Sequence, residues 1–384
     1  MVLRMCTPGG MKNKFSFRAA LLAWFAEHQR PLPWRRDYQP YHVWIAEIMG
    51  QQTQMERVVN YLCRWLEQFP DMATLAAASE QEVFKAWEGL GYYSRARNIR
   101  RTAAILMHEH NGRLPEEEAV LLTLPGIGPY TAAAICSIAF NQPVPLVDAN
   151  VERVLCRIED IAEPPKQTGT KRRLLQLCAE LLPADDARSF NQALMELGAL
   201  VCLPRNPACE SCPVRDCCRA RAAGTVSQRP VAAKKPDKID IIMACGIIAH
   251  EGKLYIQQRQ ANDVWGGLWE FPGGRLKQGE TPEQAARREI AEETEFQVKD
   301  LRPFASVSHS YTKYRVKLHA FTCQLAEGQE PQPVLHAADQ FRWVSREELD
   351  SYAFSSGGRK LISRMKQTAP YHPSIFPSIE NIAE

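Results

Sequence analysis

An all-α half followed by an α/β half is the multidomain architecture this sequence predicts, and three observations carry it. From Phe15 to Ala220 apolar residues recur at helical spacing, as in Val43-Trp44-Ile45-Ala46-Glu47-Ile48-Met49 and Thr131-Ala132-Ala133-Ala134-Ile135, broken by Pro and Gly pairs. Between Arg221 and Lys238 the periodicity lapses into Ala, Lys and Pro, ending in Lys234-Lys235-Pro236-Asp237-Lys238, which reads as a linker. Beyond it Ile239 to Ala249, Lys253 to Gln257 and Tyr314 to Cys323 are strand-like, and Pro282 to Thr294 is a helix candidate. A chain of 384 residues exceeds one ordinary core. The expected division is therefore a tail at 1–14, a helical domain at 15–220, a linker at 221–238, an α/β domain at 239–370 and a tail at 371–384.

Composition narrows the class. With 45% hydrophobic and 24% charged residues the chain reads as an ordinary globular protein, and no apolar run approaches the ~20 residues of a membrane span. Met1 to Lys14 lacks the apolar core and cleavage site of a secretory signal. Twelve cysteines without an export signal then suggest reduced thiols in the cytoplasm, without disulfides. A net charge of +3 is too small to establish nucleic-acid binding, so any basic surface must be local.

Four cysteines, Cys202, Cys209, Cys212 and Cys218, stand as C-x6-C-x2-C-x5-C directly after the helix-like stretch Phe190 to Val201. Thiolates this crowded suit the four open iron positions of one [4Fe–4S] cube, and Pro204, Pro207 and Pro213 favour an irregular loop. Zinc is the rival, although its common sites use two short C-x2-C knuckles. Cys217 competes for the last ligand place.

Two acids and a hairpin carry the helical half. Leu124-Pro125-Gly126-Ile127-Gly128-Pro129-Tyr130-Thr131 puts Gly126 and Gly128 before an Ala-rich helix, where close backbone approach and exposed amides favour a phosphate, as in a helix-hairpin-helix DNA-binding unit. A plain connection between packed helices is the alternative. Asp148, between a Pro-rich extended stretch and a helix starting near Asn150, reads as a helix cap and equally as an acid that steadies a cationic sugar beside the hairpin. Glu47 interrupts an apolar helix, and burial would raise its pKa into the range of a general acid. A structural pairing with Arg35 is the competing role.

The ordered set Leu32-Pro33-Trp34-Arg35, Trp44-Ile45-Ala46-Glu47, Gln51-Gln52-Thr53-Gln54, Gly89-Leu90-Gly91-Tyr92-Tyr93-Ser94-Arg95-Ala96-Arg97, the Gly126/Gly128 hairpin, Asp148 with Asn150, and the four cysteines resembles the MutY-type adenine DNA glycosylases of the helix-hairpin-helix superfamily over residues 15–220. The resemblance implies excision of adenine mispaired with 8-oxoguanine or guanine in duplex DNA. Bifunctional relatives carry a nucleophilic lysine where Tyr130 stands, so it implies a monofunctional enzyme. By the same carry-over Glu47 protonates adenine, Asp148 stabilises the sugar cation, and Tyr130 and Asn150 tune the two acids. Arg35 lines the base pocket, while Gln52, Thr53, Leu90 and Tyr92 wedge the duplex and meet the lesion; base flipping is required in any case. The cluster shapes a basic loop with Arg205, Arg215 and Arg219 and does no bond chemistry. Gly50 departs from the bulky aliphatic residue usual there, leaving space beside Glu47 and weakening what reads as a helix interior.

In the second half Gly274-x5-Glu280-x7-Arg288-Glu289-Ile290-Ala291-Glu292-Glu293-Thr294-Glu295-Phe296 resembles the Nudix box, and Trp265 to Gly274 resembles the 8-oxo-dGTP pyrophosphatases. Glu289, Glu292 and Glu293 share a helical face, and crowded carboxylates suit Mg2+ or Mn2+ bridging a nucleoside triphosphate; a solvent-exposed acidic helix is the bland alternative. MutY-type enzymes have usually lost this box, whereas here its acids persist. Glu295 replaces its closing glycine, and Tyr311-Thr312-Lys313 aligns with the family's Phe-Ser-His lesion-reading element, leaving Thr312 as the hydrogen-bonding candidate. The expectation is a monomeric adenine glycosylase with a lesion-recognising Nudix domain that retains hydrolytic acids. A Nudix pyrophosphatase tethered to DNA is the alternative, and a noncatalytic iron–sulfur protein the third reading.

Overall fold

The computed structural model describes residues 14–232, 238–311 and 313–367. It divides into two compact units: one holds the described residues up to Ala77 and from Asn98 to the end of the helical half, the other combines Ala78–Arg97 with the C-terminal half.

The first unit is helical. One core joins Phe17, Leu21 and Phe25 of the helix Lys14–His28 to Val154 and Leu155 of Ala149–Ile158, Leu174 of Thr168–Leu181, and Phe190, Leu194 and Leu197 of Ala187–Leu200. Cys202, Cys212 and Cys218 pack against this same core, so the cysteine loop is anchored to the helix that Asp148 caps. The helix Pro40–Gly50 has Pro40 in its first turn and buries Val43, Trp44, Ile45, Ala46, Ile48 and Met49, which leaves Glu47 as a carboxylate among apolar side chains. Gly50 is the last residue of that helix and not an interior one, so the expected weakening does not fall on the helix body. The loop Cys202–Cys218 is irregular as expected, with short 3-10 turns at Cys209–Ser211 and Arg215–Cys217. Cys217 is buried and disulfide-bonded, which corrects the expectation of uniformly reduced thiols and removes it as a rival ligand.

In the second unit a mixed sheet runs β3-β2-β1-β6-β5, with β4 beside β1 and β7 beside β2. The strands are β1 Ile239–His250, β2 Lys253–Arg259, β3 Trp269–Glu270, β4 Gly273–Arg275, β5 Val298–Tyr311, β6 Tyr314–Leu325 and β7 Ala338–Val344. β1 pairs with β6 in parallel and with β2 and β4 antiparallel. Cys245 and Ile247 of β1 enter a core with Leu361, Ile362 and Met365 of the helix Ser356–Gln367. Ile248 packs on the other side with Ile290 of the helix Pro282–Thr294. Burial on both faces explains the nearly unbroken apolar run of β1. The helix Pro282–Thr294 starts with a capping box between Thr281 and Gln284 and ends at Glu295, whose φ of 58° is left-handed.

The helix Glu80–Trp87 belongs to this unit. Trp269 Nε1 donates to Gln81 Oε1 at 3.0 Å, and Glu88 Oε1 accepts from the Phe354 amide at 3.0 Å and Arg359 Nε at 2.9 Å. No helix among the described residues is long and apolar enough to cross a membrane.

Candidate active site

Glu47, Tyr130, Asp148, Asn150, Arg35, Gln52 and Thr53 line one cavity of ≈ 700 Å³ in the first unit. Residues separated by more than a hundred positions in sequence thus meet in one place. Tyr130, in the first turn of the helix Pro129–Ala134, donates its hydroxyl to Glu47 Oε2 at 3.0 Å. Burial pushes the Glu47 carboxyl up to about 7; the charge of Asp148 adds to this, while the Tyr130 hydrogen bond and Arg35 oppose it. Burial and the neighbouring Glu47 raise the Tyr130 phenol well above its ordinary value, so it stays a donor.

Asp148 is the N-cap of Ala149–Ile158: Oδ1 accepts from the Val151 amide at 2.7 Å and Oδ2 from Asn150 Nδ2 at 2.9 Å. Burial raises its pKa, and these hydrogen bonds to the ionised form pull against it. Asn150 is itself held, since Arg153 Nη2 donates to its Oδ1 at 2.8 Å and to the Gly198 carbonyl at 2.7 Å. Arg153 Nε also donates to the Cys202 carbonyl at 2.7 Å, so the cysteine loop and the Asn150 amide that orients Asp148 share one guanidinium. A Cβ at Gly198 would lie 2.5 Å from Asn150 Cβ, which reserves that place for glycine.

Arg35 does not bond Glu47. Its Nε donates to Gln192 Oε1 at 2.8 Å and its Nη2 pairs with Glu196 Oε2 at 3.2 Å. Arg30 Nε pairs with Glu196 Oε1 at 2.8 Å. Burial alone would raise the Glu196 carboxyl, but the bonds from Arg30 and Arg35 outweigh it and hold the group at about 2. Gln192, Met195 and Glu196 all line the cavity and went unflagged in the sequence. Gln192 and Glu196 stand four apart on the helix Ala187–Leu200, which also carries Arg188, Ser189 and Asn191, so their polarity alone did not single them out.

Gln52 is exposed at the cavity with a φ of 60°, a conformation non-glycine residues adopt under constraint. Leu90 and Tyr92 lie in the second unit, with Leu90 buried and Tyr92 at φ 50°. Gly126 and Gly128 form an exposed turn before the helix Pro129–Ala134; Gly126 has φ 77° and Gly128 is the helix N-cap. Thr312 lies outside the described residues.

Cys202, Cys209, Cys212 and Cys218 together line a second cavity of ≈ 30 Å³ with Val154, Arg157 and Leu197. Arg157 Nη1 donates to Cys202 Sγ at 3.3 Å. Burial, and then the neighbouring cysteines, pushes the Cys212 thiol up to about 12. Among the described residues no three His, Cys, Asp or Glu side chains form a ready-made site for a metal ion.

In the second unit the acids are already engaged. Arg288 Nη1 pairs with Glu289 and Glu292 at 2.8 Å each, and its Nε pairs with Glu280 at 2.7 Å. Glu293 accepts from Gln257 Nε2 at 2.8 Å and the Gly273 amide at 3.0 Å. Burial, with the charge of Glu270 adding, lifts Glu293 to about 8.

A helical unit with a desolvated acid sharing a cavity with a helix-capping aspartate, joined to a β-sheet unit with a Nudix box, defines the class as a base-excision DNA glycosylase with an appended Nudix domain. Residues 45–180 match the HhH-GPD superfamily of base excision DNA repair proteins, and residues 243–364 match the NUDIX domain. A thermostable thymine-DNA glycosylase of known structure superposes with a TM-score of 0.50 at 27% identity, covering 55% of this chain and 98% of that one. Adenine DNA glycosylase of Homo sapiens is 34% identical over 406 residues, spanning 90% of this chain and 73% of the human one. The Rattus norvegicus adenine DNA glycosylase is 32% identical over 402 residues, spanning 90% and 77%. The chain belongs to the adenine DNA glycosylase family.

Proposed function

We propose that this chain excises adenine opposite 8-oxoguanine or guanine in duplex DNA by hydrolysis, without a covalent amine intermediate. The observation that carries the reading is Glu47, held near neutral pKa and facing the same cavity as Asp148, with a tyrosine and not an amine at position 130. The adenine must leave the stack to reach this cavity. Glu47 then gives its proton to N7 of the base, the C1′–N9 bond breaks with its electron pair on the base, and the cationic sugar is steadied by Asp148. Water adds to C1′ and returns a proton to the Glu47 carboxylate. Tyr130 orients Glu47, and Asn150 orients Asp148.

Gln52, Thr53, Leu90, Tyr92 and Thr312 are assigned to the duplex and the damaged base, and the Gly126/Gly128 turn to a phosphate. The four thiols fit a [4Fe–4S] cluster, because they surround a shared cavity and face Arg157, whose charge suits anionic sulfur. When bound, the cluster supplies a covalent clamp on the loop. Mg2+ or Mn2+ at Glu289, Glu292 and Glu293 would have to displace Arg288 from two of the three. Lesion recognition is therefore assigned to the Nudix domain ahead of nucleotide hydrolysis. A DNA-tethered pyrophosphatase does not account for the Glu47–Asp148 cavity.

The test is single-turnover release of adenine from a duplex holding adenine opposite 8-oxoguanine, with chelator present, for the wild type and Glu47→Gln. Release by the wild type and its loss by at least about a hundredfold in the variant are expected for a general acid. Equal rates would remove Glu47 from the mechanism.

A further inference from the structure

A missing side chain in the base pocket points to a substrate class wider than adenine. Gly50 lines the cavity that holds Glu47, and a Cβ built on it meets nothing within 4 Å. It stands three residues after Glu47 on one helix, and positions three apart share a helix face. The open space therefore lies on the helix face that carries Glu47, with no atom of that side chain within 4 Å of the added Cβ. Its backbone is not left-handed, so the space is not forced by a turn that only glycine can make.

Chemistry decides which edge of a flipped purine meets that gap. An acid assists departure of a purine by protonating N7, because the resulting charge is shared through the five-membered ring with N9 and weakens the C1′–N9 bond. The exocyclic amine on C6 is the neighbour of N7 on the same edge. A base that offers N7 to Glu47 consequently turns its amine edge toward the region where Gly50 leaves room.

We propose that this chain also excises adenines alkylated on the exocyclic amine, with Gly50 as the specificity-determining residue that admits the alkyl group. The inference rests on the assignment of Glu47 as the acid. The bond changes balance as for adenine: N7 takes the proton of Glu47, the C1′–N9 electron pair stays with the base, and water adds to C1′ and gives a proton back to the carboxylate. The products are the neutral N6-alkyladenine and an abasic site. A secondary amine keeps one N–H, so the substrate retains a donor on that edge.

Single-turnover release is measured for adenine and for N6-methyladenine, each opposite 8-oxoguanine, with the wild type, Gly50→Ala and Gly50→Leu, and folding of each variant is checked by thermal melting. The wild type is expected to release N6-methyladenine within about tenfold of adenine. Gly50→Leu is expected to lower the ratio of the two rates by at least about tenfold, with Gly50→Ala between, since a filled pocket discriminates one methyl group by roughly 10–200-fold. Release of adenine but not N6-methyladenine by the wild type overturns the inference and leaves the Glu47 reading standing. An unchanged ratio in a folded Gly50→Leu overturns the role of Gly50. Release of neither base by the wild type removes the Glu47 reading and the inference with it.

Discussion

At residue 47 the same burial that arms the acid works against the fold. The carboxyl moves from an ordinary 4.5 to about 7, with desolvation as the largest cause. A group whose folded pKa is raised binds more protons when folded, so its effect on stability is absent at low pH and grows unfavourable as pH climbs from 4.5 to 7. Above that window the ionised carboxylate disfavours the fold by about 3 kcal/mol. Glu47→Gln keeps the shape and removes the charge. Its melting temperature is expected to exceed that of the wild type at about pH 8 and to match it below about pH 4; scanning calorimetry at both values checks this, and an equal difference at both would exclude burial of the charge as the cause. Glu47 and Asp148 were legible in the sequence because each breaks a local pattern, one an apolar helix and the other a helix start. Gln192 and Glu196 were not, since nothing local says that Arg30 and Arg35, more than a hundred and fifty positions earlier, turn them into one buried network.

Two helix ends show how element geometry serves or taxes the sites. The helix Ala187–Leu200 meets Ala149–Ile158 at Gly198, where an added Cβ would sit 2.5 Å from Asn150 Cβ and 3.0 Å from its Cα. Gly198→Ala must push Asn150 aside, and with it the hydrogen bond to Asp148. A destabilisation of about 1–3 kcal/mol is expected from overpacking, together with slower base release at undiminished DNA affinity. Equal loss of affinity and rate would contradict this assignment. At the other site Glu295 holds a left-handed conformation at the end of Pro282–Thr294. Glu295→Gly is expected to stabilise the second unit by up to about 1 kcal/mol, because glycine adopts that φ without strain and the lost exposed contact to His336 contributes little. A denaturant melt reads the change, and a shift toward lower midpoint would show that the His336 contact dominates. The strand β5 escaped the sequence reading for a physical reason. It is interrupted by Pro303 and by register shifts at Lys299/Arg302 and Pro303/Ala305, and it lies at the edge of the sheet, so its residues do not alternate cleanly.

On the scale of the whole molecule, the four-cysteine loop packs on the core of the helix that Asp148 caps, so a cluster bound there would act through structure. Cys212→Ser is expected to lower iron content, to destabilise the first unit and to weaken duplex binding, whereas the Nudix fold stays intact; thermal melting with iron analysis checks this, and an iron-free variant of unchanged stability would contradict it. The two-part architecture was readable from periodicity and the Nudix box. The packing of Ala78–Arg97 in the second unit was not, because it depends on long-range partners such as Gln81 with Trp269 and Glu88 with Phe354. The central claim, that Glu47 acts as an acid with a pKa of about 7, is tested most directly by the pH dependence of adenine release with enzyme below saturation. The rate is expected to fall about tenfold per unit once pH passes the pKa of the free acid, and Tyr130→Phe, which removes a hydrogen bond that favours ionised Glu47, should move that limb to higher pH. A rate that is flat or rising across neutral pH would contradict the account.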